Sequence, residues 1–164
     1  MNWLEYYDDS TKTLTIPYNF NDKLNNLPLD TKILLFLDCT DHYSQFYSQF
    51  NNNVGHAECD NIDCVRNLPN NLTHIFFGHK FNKKVDHLPD KLTNLSFGYF
   101  FDQCVEYLPK ELTHLTFGYC FNQKVNKLPK NLKYLTFGWY FNQIVDNLPE
   151  NLIHLTFSYS FNKK

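Results

Sequence analysis

The residues best suited to hold a metal lie in one stretch. Cys39, His42, His56, Cys59 and Cys64 read as CxxH, thirteen intervening residues, HxxC and one further thiol. These are zinc-ligand types at short pair spacing. Neither half matches a common zinc-finger spacing, and Cys104 and Cys120 are used without such partners. No metal or other cofactor is therefore assigned, and a zinc staple is kept as the alternative. Catalytic patterns are missing: there is no GxSxG, no glycine-rich phosphate cradle and no HExxH. The carboxylates Asp90, Glu111 and Glu150 fall at turn positions and read as a solvated edge. The expectation is a protein that is not an enzyme and has no catalytic residue.

Composition narrows the class. The 164 residues suit one domain, and 43% hydrophobic residues can fill a continuous core. With 16 Phe and 11 Tyr against 5 Gly, aromatic packing must dominate the interior. No apolar run is long enough for a membrane helix, and the start MNWLEYYDDS is not a secretory leader. Five cysteines, an odd set, suit reduced thiols, so a soluble cytoplasmic protein is expected, in host cytoplasm if the chain is viral. Residues 1–67 hold 4 basic and 10 acidic groups, whereas 68–164 hold 11 and 7. The resulting −6 against +4 can bias how copies meet, but the basic groups are too scattered for a nucleic-acid stripe. Neither nucleic acid nor membrane is an expected partner.

What must position any functional side chain is a repeat. Leu-Pro recurs at Leu68, Leu88, Leu108, Leu128 and Leu148, each followed by proline and spaced by twenty residues, in the frame LPxxLxxLxFGxxFNxxVxx. An earlier copy is legible in Leu14, Ile16, Phe20, Asn21, Leu24, Leu27 and Pro28, with Pro17 in the glycine position. A second carries Leu34 and Phe36, then Phe50, Asn51 and Val54, and is stretched by insertions between 38 and 64. Such units cannot fold alone, so one turn of chain per repeat must stack on the next.

Within a unit, LxxLxF alternates like a strand, sending Leu135 and Phe137 inward and Tyr134 and Thr136 outward. The remaining FNxxVxxLP is about nine residues with a proline, too short for a helix of several turns. Phe141, Val145 and Leu148 close it inward, which predicts two phenylalanine columns: Phe77, Phe97, Phe117, Phe137 and Phe157 beside Phe81, Phe101, Phe121, Phe141 and Phe161. Gly78, Gly98, Gly118 and Gly138 mark the corner after the strand, where positive φ or close approach selects glycine, and Ser158 ends that series. Asn82, Asn122, Asn142 and Asn162 mark the next corner as an inward amide column, which Asp102 is expected to break by lacking the amide donor.

The FGxxFN frame with flanking LP and LxxL resembles the FNIP family of leucine-rich repeats found in slime moulds and giant DNA viruses. The likeness covers residues 12–162, with five consecutive copies. It implies a leucine-rich-repeat fold with a phenylalanine core. Some members carry an F-box before their repeats, implying substrate capture for ubiquitin ligation. Only about a dozen residues precede the first repeat here, so that role is an alternative without its own support.

The expectation is a mainly β, right-handed leucine-rich-repeat-like solenoid of about seven 20-residue coils. It has a parallel sheet on the concave face, an extended or turn-like convex side and no long helix. Residues 1–164 form a single domain: a hairpin-like start over 1–16, a loop insertion over 38–64 and five regular repeats over 68–164. Its function is interaction, with a protein partner or with itself, a homodimer being favoured. The outward column His74, Asn94, His114, Tyr134 and His154, with Thr116, Thr136 and Thr156, is the candidate concave binding face. Coils sit ~4.8 Å apart, so histidines two coils apart are ~10 Å apart and cannot share one zinc. Leu152, Ile153 and Leu155 of the last coil are the candidate self-association edge, with Ile153 where other copies have threonine or lysine.

Overall fold

The structure, a computed structural model, describes residues 3–17, 27–36 and 68–163. The insertion expected over 38–64, with Cys39, His42, His56, Cys59 and Cys64, lies outside the described residues, as do Phe20 and Asn21. A 3-10 turn (Trp3–Tyr6) leads into β1 (Tyr7–Asp8) and β2 (Thr13–Ile16). Then come β3 (Ile33–Phe36), β4 (His74–Phe76), β5 (Asn94–Ser96), β6 (His114–Thr116), β7 (Tyr134–Thr136) and β8 (His154–Thr156). They form one sheet in the order β1 to β8. The first pair is antiparallel and the six later pairs are parallel, so β2 to β8 run in one direction. No α-helix occurs among the described residues.

The repeat frame is explained by two tight turns per coil. In LPxxL the proline carbonyl accepts the leucine N–H three residues on, as from Leu112 to Pro109 at 3.3 Å. In FGxxF the glycine carbonyl accepts the phenylalanine N–H, as from Phe121 to Gly118 at 3.3 Å. Proline can stand at the first turn because it supplies only its carbonyl there. The leucine and phenylalanine that close these turns, Leu112 and Phe121, are then held pointing into the core, where both are fully buried.

Core positions stack from coil to coil. Leu72, Leu92, Leu112 and Leu132 form one buried column, and Ile75, Leu95, Leu115 and Leu135 another. The two phenylalanine columns stand side by side. Phe117 stacks on Phe121 with ring centroids 3.7 Å apart, and on Phe97 and Phe137 of adjacent coils at 5.7 and 5.6 Å. Near-parallel rings at these distances exclude water between Phe97 and Phe141, where all six rings of the two columns are buried.

The structure decides between the two reasons offered for the corner glycines and corrects two expectations about the asparagine column. Among the described residues no glycine has positive φ, and the one positive-φ residue is Lys12, in the β1–β2 hairpin. Glycine is required by close approach instead, because a Cβ at Gly98, Gly118 or Gly138 would collide with the carbonyl of the glycine one coil earlier. The asparagine column is also not inward, since Asn122 and Asn142 are half-exposed and Asn82 and Asn162 exposed.

Nor does Asp102 break that column. The Asn82 Oδ1 accepts the Asp102 N–H at 2.9 Å and the Gln103 amide at 3.0 Å. The Asp102 Oδ1 in turn accepts from the Asn122 N–H at 2.9 Å and Gln123 at 3.0 Å, and Asn122 does the same for Asn142 and Gln143. Only the oxygen end is used, so a carboxylate fits as well as an amide. Asp102→Asn is expected to leave stability within about 0.5 kcal/mol of the parent in urea unfolding, whereas Asp102→Ala removes both acceptor bonds and costs about 1–2 kcal/mol. A large loss in Asp102→Asn would contradict the acceptor-only ladder.

Candidate functional site

The strands place the predicted outward residues in register. His74 pairs with Asn94, Asn94 with His114, His114 with Tyr134 and Tyr134 with His154. Three of these rings stack: His114 on Tyr134 at 4.4 Å and Tyr134 on His154 at 5.0 Å. Thr116, Thr136 and Thr156 form the parallel column two residues along. A third column lies just before the strands, where Thr73, Thr93 and Thr113 hydroxyls donate to carbonyls of the preceding coil.

Those hydroxyls also hold the ladder residues in place. Thr73 and Thr113 Oγ1 lie 2.8 Å from the Nδ1 of His74 and His114, and the one Thr93 hydroxyl proton is shared between the Thr73 carbonyl and the Asn94 Oδ1, 2.9 Å from Oγ1. Burial, and then repulsion from His114, holds the His74 imidazole below its usual basicity. The result is a rigid polar and aromatic face, with Phe76 and Tyr134 its exposed large rings.

The second predicted site lies at the other end of the sheet. In interior coils Leu132, Leu135, Phe137 and Phe141 are buried, but their counterparts Leu152, Leu155, Phe157 and Phe161 are only partly covered. Ile153 is 62% exposed, and among the described residues β8 pairs only with β7.

One feature was not foreseen in the sequence. The first variable position of FGxxFN holds His79, Tyr99, Tyr119, Trp139 and Tyr159, whose rings form an outer ladder: Tyr99 on Tyr119 at 4.6 Å, Tyr119 on Trp139 at 5.9 Å and Trp139 on Tyr159 at 5.5 Å. Phe100 and Tyr140 pack edge-on against Tyr99 and Tyr119. The twenty-residue spacing was the available signal, obscured because ring type varies from coil to coil. Tyr159, at the end of this ladder, is 89% exposed.

Among the described residues no group of three or more His, Cys, Asp or Glu is arranged to hold a metal. No helix among them is long and apolar enough to cross a membrane. Cys104 and Cys120 are free thiols, and burial and the Asp102 carboxylate push the Cys120 thiol up, away from the thiolate a nucleophile needs.

The two turns, the paired phenylalanine columns and the acceptor ladder together account for every fixed letter of FGxxFN. The FNIP repeat profile matches residues 65–100, 81–120 and 121–147, a continuous half of the chain. The chain belongs to the FNIP repeat family. An FNIP coil is thus the unit in which both candidate surfaces are built. The fold is similar to the crystal structure of CroV588, described as a novel circular leucine-rich-repeat protein, from a giant virus. The similarity has a TM-score of 0.73 and 40% identity, and covers 93% of this chain. This FNIP chain spans about a fifth of that protein, 21% of its length. No curated protein sequence matches it significantly.

Proposed function

We propose that this FNIP solenoid is a non-catalytic protein-interaction module whose foremost surface is its C-terminal coil and whose partner is a second copy of itself. One observation carries the reading: the leucine and phenylalanine columns that are closed in the three coils from Leu92 to Phe141 are half-open at Leu152, Leu155, Phe157 and Phe161. A sheet edge beside uncovered apolar side chains favours pairing with another chain. Ile153 adds an exposed β-branched apolar side chain at that edge, where lysine or proline would discourage pairing. The reduced thiols suit action in cytoplasm, host cytoplasm if the chain is viral. Light scattering on residues 1–164 is expected to give a mass well above the 19.6 kDa monomer that persists in high salt, because apolar contact is not screened.

A second reading is recognition of a foreign protein on the strand face. The exposed rings of Phe76 and Tyr134 within a polar ladder favour it. The terminal coil ranks first because the strand face already satisfies its own groups through Thr–His bonds and ring stacks. A chain that stays monomeric at micromolar concentration would transfer the role to the strand face.

A further inference from the structure

Resting on the strand-face reading above, we infer that the surface running from β4 to β8 and across to the outer ring ladder docks an acidic segment of a foreign protein, carrying carboxylates beside apolar side chains. The placement of charge carries this inference. In each regular coil the face is built by the residues from the one before the strand to the second variable position of FGxxFN, at 73–80, 93–100, 113–120, 133–140 and 153–160. None of them is acidic. All seven carboxylates of residues 68–164 fall in the return halves of the coils. Asp102 comes nearest, just past the ring corner, and its Oδ1 already accepts from the Asn122 N–H and the Gln123 amide. The face itself carries Lys80 and Lys133, both exposed, and Lys32 heads the column of Thr73, Thr93, Thr113 and Lys133. Histidine adds only positive charge when it titrates, so the face is neutral to positive near physiological pH.

Hydrogen bonding points the same way. The Thr73, Thr93 and Thr113 hydroxyls are engaged with the preceding coil, whereas the side chains of Thr116, Thr136 and Thr156 make no hydrogen bond within the described residues. These three stand opposite one another in the sheet register, and a hydroxyl donates well to a carboxylate. Beside them Tyr99, Tyr119, Trp139 and Tyr159 stack within 17° of parallel, so each ring largely covers its neighbour's face and turns an edge to solvent. The edge is the positive side of an aromatic quadrupole, whereas a cation needs the face. Phe100 and Tyr140, one coil before and one coil after Cys120, are exposed and give a partner's apolar side chains a place to pack.

Single-stranded nucleic acid is also anionic, but the same stack disfavours it. Bases bind by lying on exposed ring faces, and here the faces are largely covered. The five runs also hold no arginine, the side chain that grips phosphate at two points. Protein carboxylates are the better match.

Calorimetric titration of the full chain with a glutamate–tyrosine copolymer tests this, with a lysine–tyrosine copolymer and oligothymidylate as competing probes. Lys133→Glu and Thr116→Glu place negative charge on the face. Lys110→Glu makes the same charge change as Lys133→Glu, but on the turn before β6. All three side chains are exposed, and circular dichroism checks that each variant folds. The acidic copolymer is expected to bind, with a dissociation constant at least about tenfold higher in both face variants and within about twofold of the parent in Lys110→Glu. Added salt is expected to weaken it. No binding of the acidic copolymer overturns the inference, as do equal losses in Lys133→Glu and Lys110→Glu, since net charge alone would then decide. Tighter binding of oligothymidylate overturns it in favour of nucleic acid. A lysine–tyrosine copolymer that binds instead, with affinity altered in Thr116→Glu but not in Lys110→Glu, overturns the acidic partner and leaves the strand-face reading standing. Acidic copolymer binding that neither face variant alters removes the strand-face reading itself, and this inference with it.

Discussion

Phe117→Ala is expected to cost about 3–5 kcal/mol in urea or thermal unfolding, because a fully packed ring is replaced by a cavity. Phe117 is buried, and its ring is stacked on Phe121 within the coil and on Phe97 and Phe137 above and below. No neighbour can collapse into the gap without breaking its own stack, so the upper part of the range applies. For a chain of this length the loss corresponds to about 6–20 °C in Tm. Thr116, one residue earlier, is exposed, and Thr116→Ala is expected to cost less than about 1 kcal/mol. Equal losses for the two variants would show that the inward and outward assignment of β6 is wrong. Because each coil touches only its neighbours, Phe117→Ala is also expected to weaken the coupling between the coils on either side, broadening the transition.

The columns that carry this prediction are legible in the amino-acid sequence, because alternation fixes which residues share a face and a twenty-residue repeat fixes which residues stack. Leu115 and Phe117 inward, Thr116 outward, and the His74 to His154 ladder all follow from those two rules. What the sequence hides is the physical reason behind a residue type. Glycine at 78, 98, 118 and 138 fits either positive φ or close approach, and only the backbone geometry separates them. Asparagine at 82, 122 and 142 has a donor end and an acceptor end. Asp102 reads as a defect in the column unless the ladder uses the acceptor alone, as it does. The outer ring ladder escapes notice because His79, Tyr99, Tyr119, Trp139 and Tyr159 share planarity and position rather than identity.

The same coil-to-coil contact that selects glycine also accounts for the terminal coil being looser than the rest. In interior coils a backbone bond crosses this corner at 2.9 Å, from Phe100 to His79, from Cys120 to Tyr99 and from Tyr140 to Tyr119. The equivalent bond from Ser160 to Trp139 is not formed. Ser158 stands there in the glycine position, its hydroxyl donating to the Phe141 carbonyl at 3.3 Å. The Phe157–Phe161 centroids are 4.0 Å apart, against 3.7 Å for Phe117–Phe121. A side chain at this corner is thus tolerated where a coil can shift outward, at the loss of one rung.

Gly118 has no such freedom. A Cβ there would collide with the Gly98 carbonyl and lie 3.1 Å from the Tyr99 Cα, and these are backbone atoms fixed by their own rungs. Coils held ~4.8 Å apart by a parallel sheet cannot separate at one corner without stretching the Phe97 N–H bond to Thr116 and the Cys120 N–H bond to Tyr99, both 2.9 Å. Gly118→Ala is therefore expected to destabilise by about 3 kcal/mol, the upper end of ordinary overpacking, although alanine normally stabilises a glycine site of negative φ by restricting the unfolded chain. Ser158→Gly is the converse experiment. It lets the Ser160 rung to Trp139 form and is expected to gain up to about 1 kcal/mol, less the entropy that glycine adds to the unfolded state. Parallel urea titrations of both variants decide the matter. A neutral or stabilising Gly118→Ala would show that the coils can part at this corner, and close approach would then no longer explain the glycine of FGxxFN.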